Sequence, residues 1–190
     1  MTTYHTALFL HFVSLFVGFG AAAVLGLSLF RLRAASTAAD ALPWSVLAGK
    51  TERAFPVSIL GLFITGGYMT SDGWTWSTGW LDVGIVALVF LAASGILVAS
   101  RRAKKLEHAL NGNGPGPLSP ACRKLACDPA LWIVSFGNPG LVLGIVWDMT
   151  QKPGLVGAIV AAVIGLAAGA AAGLQFARVP AAETRPVPVA

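Results

Sequence analysis

Residues 4–33 read YHTALFLHFVSLFVGFGAAAVLGLSLFRLR, and this stretch sets the character of the whole chain. It is apolar from Ala7 to Phe30 and stops on Arg31-Leu32-Arg33. At ~1.5 Å per residue, about 20 apolar residues cross the ~30 Å hydrocarbon layer of a bilayer, so this segment is long enough to span one. It has no basic n-region and no small-residue cleavage site, and its apolar run exceeds that of a signal peptide. It is therefore expected to stay as a first transmembrane helix. Ser14, Gly18, Ala22 and Gly26 recur every fourth residue, a stripe of small side chains that allows close approach of another helix. His11 lies on the same face, three residues before Ser14. An ionisable side chain on a packed face inside a membrane helix is a functional candidate.

The rest of the chain repeats the pattern. Apolar runs at 6–30, 54–70, 81–100, 130–148 and 154–177 predict an all-α, polytopic membrane bundle of about five helices in a single domain, 1–178. Only 11% of the 190 residues are charged, where a soluble domain carries about a quarter. The net charge of +5 follows topology and is no sign of nucleic acid binding. Of the 13 Lys and Arg, all but Lys152 fall in the segments after the first and third helices or in the tail. That asymmetry predicts the N-terminus outside and the C-terminus in the cytoplasm. Trp74, Trp76, Trp80 and Trp147 would mark the outer interface, and Trp44 and Trp132 the inner one. Cys122 and Cys127 then lie on the cytoplasmic side, as reduced thiols. The turn-forming run from Asn111 to Pro117 is expected to be a flexible linker, and 179–190 a flexible cytoplasmic tail.

The last helix carries the longest regular pattern, with Gly157, Ala161, Gly165, Gly169 and Gly173 four apart, in the manner of a glycine zipper. Its match with the stripe of the first helix predicts that these two pack on each other, or that one packs on a second copy. The fourth helix is expected to be interrupted at Gly137-Asn138-Pro139-Gly140, because proline removes a backbone donor and clashes with the preceding turn.

Few residues are equipped for chemistry. There is no phosphate-binding loop, nucleophile elbow or dinucleotide fingerprint, and no carboxylate pair within one element. Topology places His5, His11, Met69, Asp72, Asp82, Asp148 and Met149 toward one side of the membrane. Imidazole and thioether suit copper or haem iron, so His11 with Met69 or Met149 is a candidate cofactor set, and His5 with Asp148 a candidate metal set.

Several short motifs carry a resemblance. They are Leu10-His11-Phe12, the basic stop Arg31-Leu-Arg33, Phe63-Ile-Thr-Gly-Gly67, Gly79-Trp80-Leu81, and Trp147-Asp-Met149-Thr-Gln-Lys152-Pro153-Gly154. Together they resemble a bacterial family of predicted integral membrane proteins of unknown function. More distantly they are similar to the copper-resistance D membrane domain and to the membrane protoporphyrinogen IX oxidase. The resemblance implies a multi-pass protein of the bacterial inner membrane. Through the oxidase it implies haem b, with His11 as the ligating position. Phe16-Val-Gly18 departs from that family's Trp-x-Gly-like string. The leading expectation is a non-catalytic subunit that packs through its small-residue faces in a bilayer, against itself or other membrane subunits. The alternatives are a haem or copper protein and a small-solute transporter using Asn138-Pro139.

Overall fold

The structure is a computed structural model that describes residues 3–114 and 116–178. Among the described residues the fold is all-helical, with α1 (Thr3–Ala34), α2 (Ala38–Thr51), α3 (Ala54–Gly73), α4 (Gly79–Ser94), α5 (Arg101–Asn111), α6 (Pro120–Ala126), α7 (Pro129–Gln151) and α8 (Leu155–Ala177). Between α4 and α5 the helix continues as a π-helical segment, Gly95–Ser100. Five stretches are long and apolar enough to cross a membrane: Thr3–Ala34, Ala38–Gly73, Gly79–Asn111, Pro120–Gln151 and Leu155–Ala177. The tail expected at 179–190 lies outside the described residues.

Local chemistry sets the helix ends. Thr37 caps α2 by accepting from Asp40 N, with Asp40 placed on the positive end of the helix dipole. Ser119 caps α6 in the same way. Asp128 accepts from Ala130 N (2.9 Å) and Leu131 N (3.3 Å), and Pro129 starts α7, where a missing donor costs nothing. α7 ends on Lys152 in the left-handed conformation (φ 50°), after which Pro153 cannot continue the helix.

The helices pack as two groups. In the first, α1 runs antiparallel against α3: His11 meets Thr65, and the Ser14 and Gly18 level meets Gly61 and Ser58. In the second, α7 and α8 form the most extensive contact of the fold, and α4 packs on both. Their seam keeps a strict register. Gly173 stands over the Trp132 carbonyl, Gly169 over Phe136, Gly165 over Gly140, and Gly144 over Ala161. Each step of four along α7 meets a step of four back along α8, so small side chains let backbone touch backbone.

This corrects the expected pairing of the first and last helices. Ser14 and Gly18 of the α1 stripe meet α3, its Gly26 faces Phe136 of α7, and Ala161, Gly165, Gly169 and Gly173 of the α8 stripe meet α7. α1 and α8 meet instead through Phe30 and Phe176, whose rings lie 4.9 Å apart. That contact belongs to an aromatic cluster, with Phe136, around Trp132 at the end of the bundle rich in Arg and Lys, hereafter the basic end. Trp132 is not an interfacial anchor. It is fully buried, and its indole N–H donates to the Ala126 carbonyl at 2.8 Å. The main hydrophobic core surrounds it, drawing Leu29, Leu32, Leu106, Leu110 and Leu131 from three helices.

Two further expectations change. The run after Asn111 is tied down and is no free linker among its described residues. The Asn113 amide donates to the Pro117 carbonyl and its oxygen accepts from Ser119 N. Leu118 N bonds Ser36 O, and Ala38 N bonds Gly116 O. Helix α7 passes Asn138-Pro139 without interruption. The irregular turn is in the neighbouring span, where the helix widens at Gly95–Ser100. Asn138 bridges the two: its amide N donates to Ser94 Oγ at 3.0 Å, and its oxygen faces the same hydroxyl at 3.1 Å.

Candidate functional site

The two helix groups join at the basic end around Trp132 and meet again at the opposite end, where the Trp74 ring lies 5.4 Å from that of Trp80 and the Lys152 ammonium sits over Trp74. The space between them is a cleft of about 450 Å³, within the ~300–1,000 Å³ usual for small-molecule sites. Its walls come from α1 (Leu15, Phe19), α3 (Ile59, Phe63), α4 with the π-helical segment (Ala92, Ile96), and the middle of α7. The contact between α3 and α4 is slight. Their lining residues Phe63 (57%) and Ile96 (64%) stay largely exposed, so the cleft opens sideways, at the depth of the apolar helices. What surrounds that opening in a membrane is lipid.

The polar groups on this wall are few. Glu52, at the α2–α3 junction, accepts from Ser100 Oγ at 3.1 Å. This bond ties the end of α2 to the end of the π-helical segment. Ser58 Oγ donates to the Ser14 carbonyl at 2.7 Å. Asn138 is engaged with Ser94. Ser135 lies one turn before Pro139, and its buried hydroxyl has no hydrogen-bond partner. A π-helical turn shifts the side chains that follow it, and such turns are frequent at functional sites. Here the turn places Gly95, Ile96, Ala99 and Ser100 on the cleft wall. Nothing lies within 4 Å of a Cβ built on Gly95, so the wall is open at that point.

His11 lies beside the cleft, in the α1–α3 seam, and is buried. Its Nδ1 is 2.9 Å from Thr65 Oγ1. The single hydroxyl proton of Thr65 is directed at the Gly61 carbonyl, 2.6 Å away. Thr65 is therefore the acceptor, and His11 carries a proton on Nδ1. The ring packs on Gly66, where a Cβ would come 3.5 Å from Cε1.

The metal and cofactor set drawn from the sequence is divided. His11 and Met69 belong to α1 and α3, Asp148 and Met149 to the other helix group, and His5 is exposed near the start of α1. Met149 is 36% exposed, while Asp148 is turned fully into the protein. Among the described residues no three His, Cys, Asp or Glu side chains gather as donors for one ion. His11 and Met69 thus lie on the packed pair α1 and α3, while Asp148 and Met149 lie on α7 and His5 near the start of α1.

Glu52, Ser94, Ser100 and Ser135 escaped the sequence reading. The one available signal was a carboxylate seated between two helical stretches and followed closely by Phe55-Pro56. Comparison with known protein families, with characterised proteins and with solved structures returns no match to this chain.

Proposed function

We propose that this multi-pass membrane protein binds a lipid-like molecule, with an apolar chain, in the cleft between its two helix groups. The observation that carries this reading is the cleft itself: about 450 Å³ of mostly apolar space, open sideways between α3 and the π-helical segment. Apolar side chains offer dispersion contacts to a chain, and the few polar groups at Glu52, Ser135 and Asn138 offer orientation. Twelve of the thirteen Lys and Arg belong to the basic end or the tail, which in this reading faces the cytoplasm. Most of the small residues of the two stripes face helices of the same chain.

The test is photo-crosslinking of an alkyl diazirine lipid to the protein in vesicles, with the adducts mapped by peptide mass spectrometry. Adducts should concentrate on α3 and residues 88–100. Gly95→Leu puts a side chain into open cleft space. Displacing about two buried methylene groups, at ~0.8 kcal/mol each, should weaken labelling there about tenfold. Gly20→Leu, on α1 and also without neighbours within 4 Å, serves as the control. Labelling that is spread evenly over the helices, or is indifferent to Gly95→Leu, overturns the reading.

A further inference from the structure

Among the described residues, Asp148 carries a buried carboxyl group with no hydrogen-bond partner for either oxygen. Its residue is 0% exposed. The α7–α8 register explains the burial. Gly144 faces Ala161, so Asp148, one turn further along α7, is on the α8-facing side of the helix, at the end of the seam where Ala158 is also fully buried. Nothing around it supplies a positive charge. Helix α8 contains no ionisable residue, and neither does the π-helical segment. In α4 the ionisable group is Asp82, an exposed acid. Helix α1 reaches α7 around Phe30, at the far end, next to Arg31 and Arg33. On α7 itself Lys152 is one turn away. Its ammonium lies over the Trp74 ring, 4.3 Å from the centroid, and its backbone N–H bonds the Asp148 carbonyl at 2.7 Å.

An ionised carboxylate in such surroundings would lose its hydration without compensation, a cost of several kcal/mol. The neutral acid loses far less. We propose that Asp148 is a proton-binding site: with α7 and α8 packed, its side chain is the neutral carboxylic acid. The balance is one carboxylate plus one proton from solvent giving one carboxylic acid, as α8 closes over the residue. Parting the helices at this end would return the carboxyl to water and release that proton. Closure of the seam and uptake of one proton are then a single event.

The other described aspartates provide the contrast. Asp40 accepts from Ser36 and Thr37, Asp128 is paired with Arg102, and Asp72 and Asp82 are exposed. None of the four is both buried and without a partner. Infrared spectroscopy of the full chain in lipid at neutral pH should therefore show the C=O stretch of one protonated aspartic acid. Carboxyl-¹³C aspartate labelling should shift that band, and Asp148→Asn, which keeps shape and neutrality, should abolish it. Absence of a protonated-aspartate band in the wild type, or its survival in Asp148→Asn, overturns the assignment. Should the variant fail to fold, the labelled wild type still decides, because no other described aspartate is both buried and unpartnered.

Discussion

Gly144 offers the sharpest test of how the bundle holds together. A Cβ at this position would stand 2.6 Å from the Ala161 carbonyl oxygen and 3.0 Å from Ala162 Cα. Carbon–oxygen contacts settle at ~3.3–3.6 Å, so Gly144→Ala requires α8 to retreat by roughly 0.7–1 Å. A gap of that size forfeits a quarter to a half of the dispersion attraction of the atoms it separates. The neighbouring levels at Gly140, Gly165, Gly169 and Gly173 are also backbone contacts and share the loss. Overpacking of this kind costs about 1–3 kcal/mol. Alanine also favours a helix over glycine by up to about 1 kcal/mol, which would mask part of the effect. Gly20→Ala, with nothing within 4 Å, removes that ambiguity because it carries the same gain without the clash. The two variants should therefore differ by about 2 kcal/mol, or roughly 4–8 °C in Tm at ~2–4 °C per kcal/mol for a chain of this size. Thermal unfolding in detergent, followed by circular dichroism, measures the difference. Ala161→Gly should not rescue Gly144→Ala, since the clash is with a backbone oxygen. Equal Tm values for Gly144→Ala and Gly20→Ala would refute the close seam.

Two more outcomes follow from side chains in the seams and core. Thr65→Val keeps the shape of the side chain but removes the acceptor for His11 Nδ1–H, and should cost about 0.6–2 kcal/mol in the same assay, while Thr65→Ser keeps most of the stability. A fully stable Thr65→Val would show that this contact contributes nothing. Trp132→Phe retains a ring to stack on Phe136 (5.8 Å, 10° between planes) but leaves the Ala126 carbonyl without its donor, for about 1–3 kcal/mol. Trp132→Ala should reach about 3–5 kcal/mol by opening a cavity in the core, and a smaller loss than for Trp132→Phe would contradict its central position.

Much of the architecture was legible because a membrane imposes one-dimensional rules. Every backbone polar group must be satisfied within the apolar layer, so long uncharged runs can only be helices. The run from Ala7 to Phe30 and its counterparts were readable for that reason. So was the alternation of basic and non-basic segments. The small-residue stripes were equally visible, but a stripe states only that something approaches closely. It does not name the partner, and the obvious match between α1 and α8 gave way to α1 with α3 and α7 with α8. Pro139 invited a broken helix because it lacks a donor, yet α7 continues through it, and the irregular turn fell at Gly95, where no proline announces it. Asn113 turned a string of turn formers into a tied loop through two hydrogen bonds, which composition alone does not encode.

By itself, the sequence determined a membrane-type protein of five apolar helices, the placement of its basic residues in alternate connections, and the glycines that allow backbone contact. These depend on hydropathy, charge and side-chain size, which are properties of single residues and their spacing. Only the tertiary structure decided which helices share a seam. It also decided that a cleft remains between the two groups, and that Glu52 and Ser135 line it. The fate of Asp148 belongs to that second class. In the sequence it was a candidate metal ligand near a helix end, and only the α7–α8 packing buries it without a partner. Burial is a property of what covers a residue, and what covers Asp148 is a helix that begins after it in the chain.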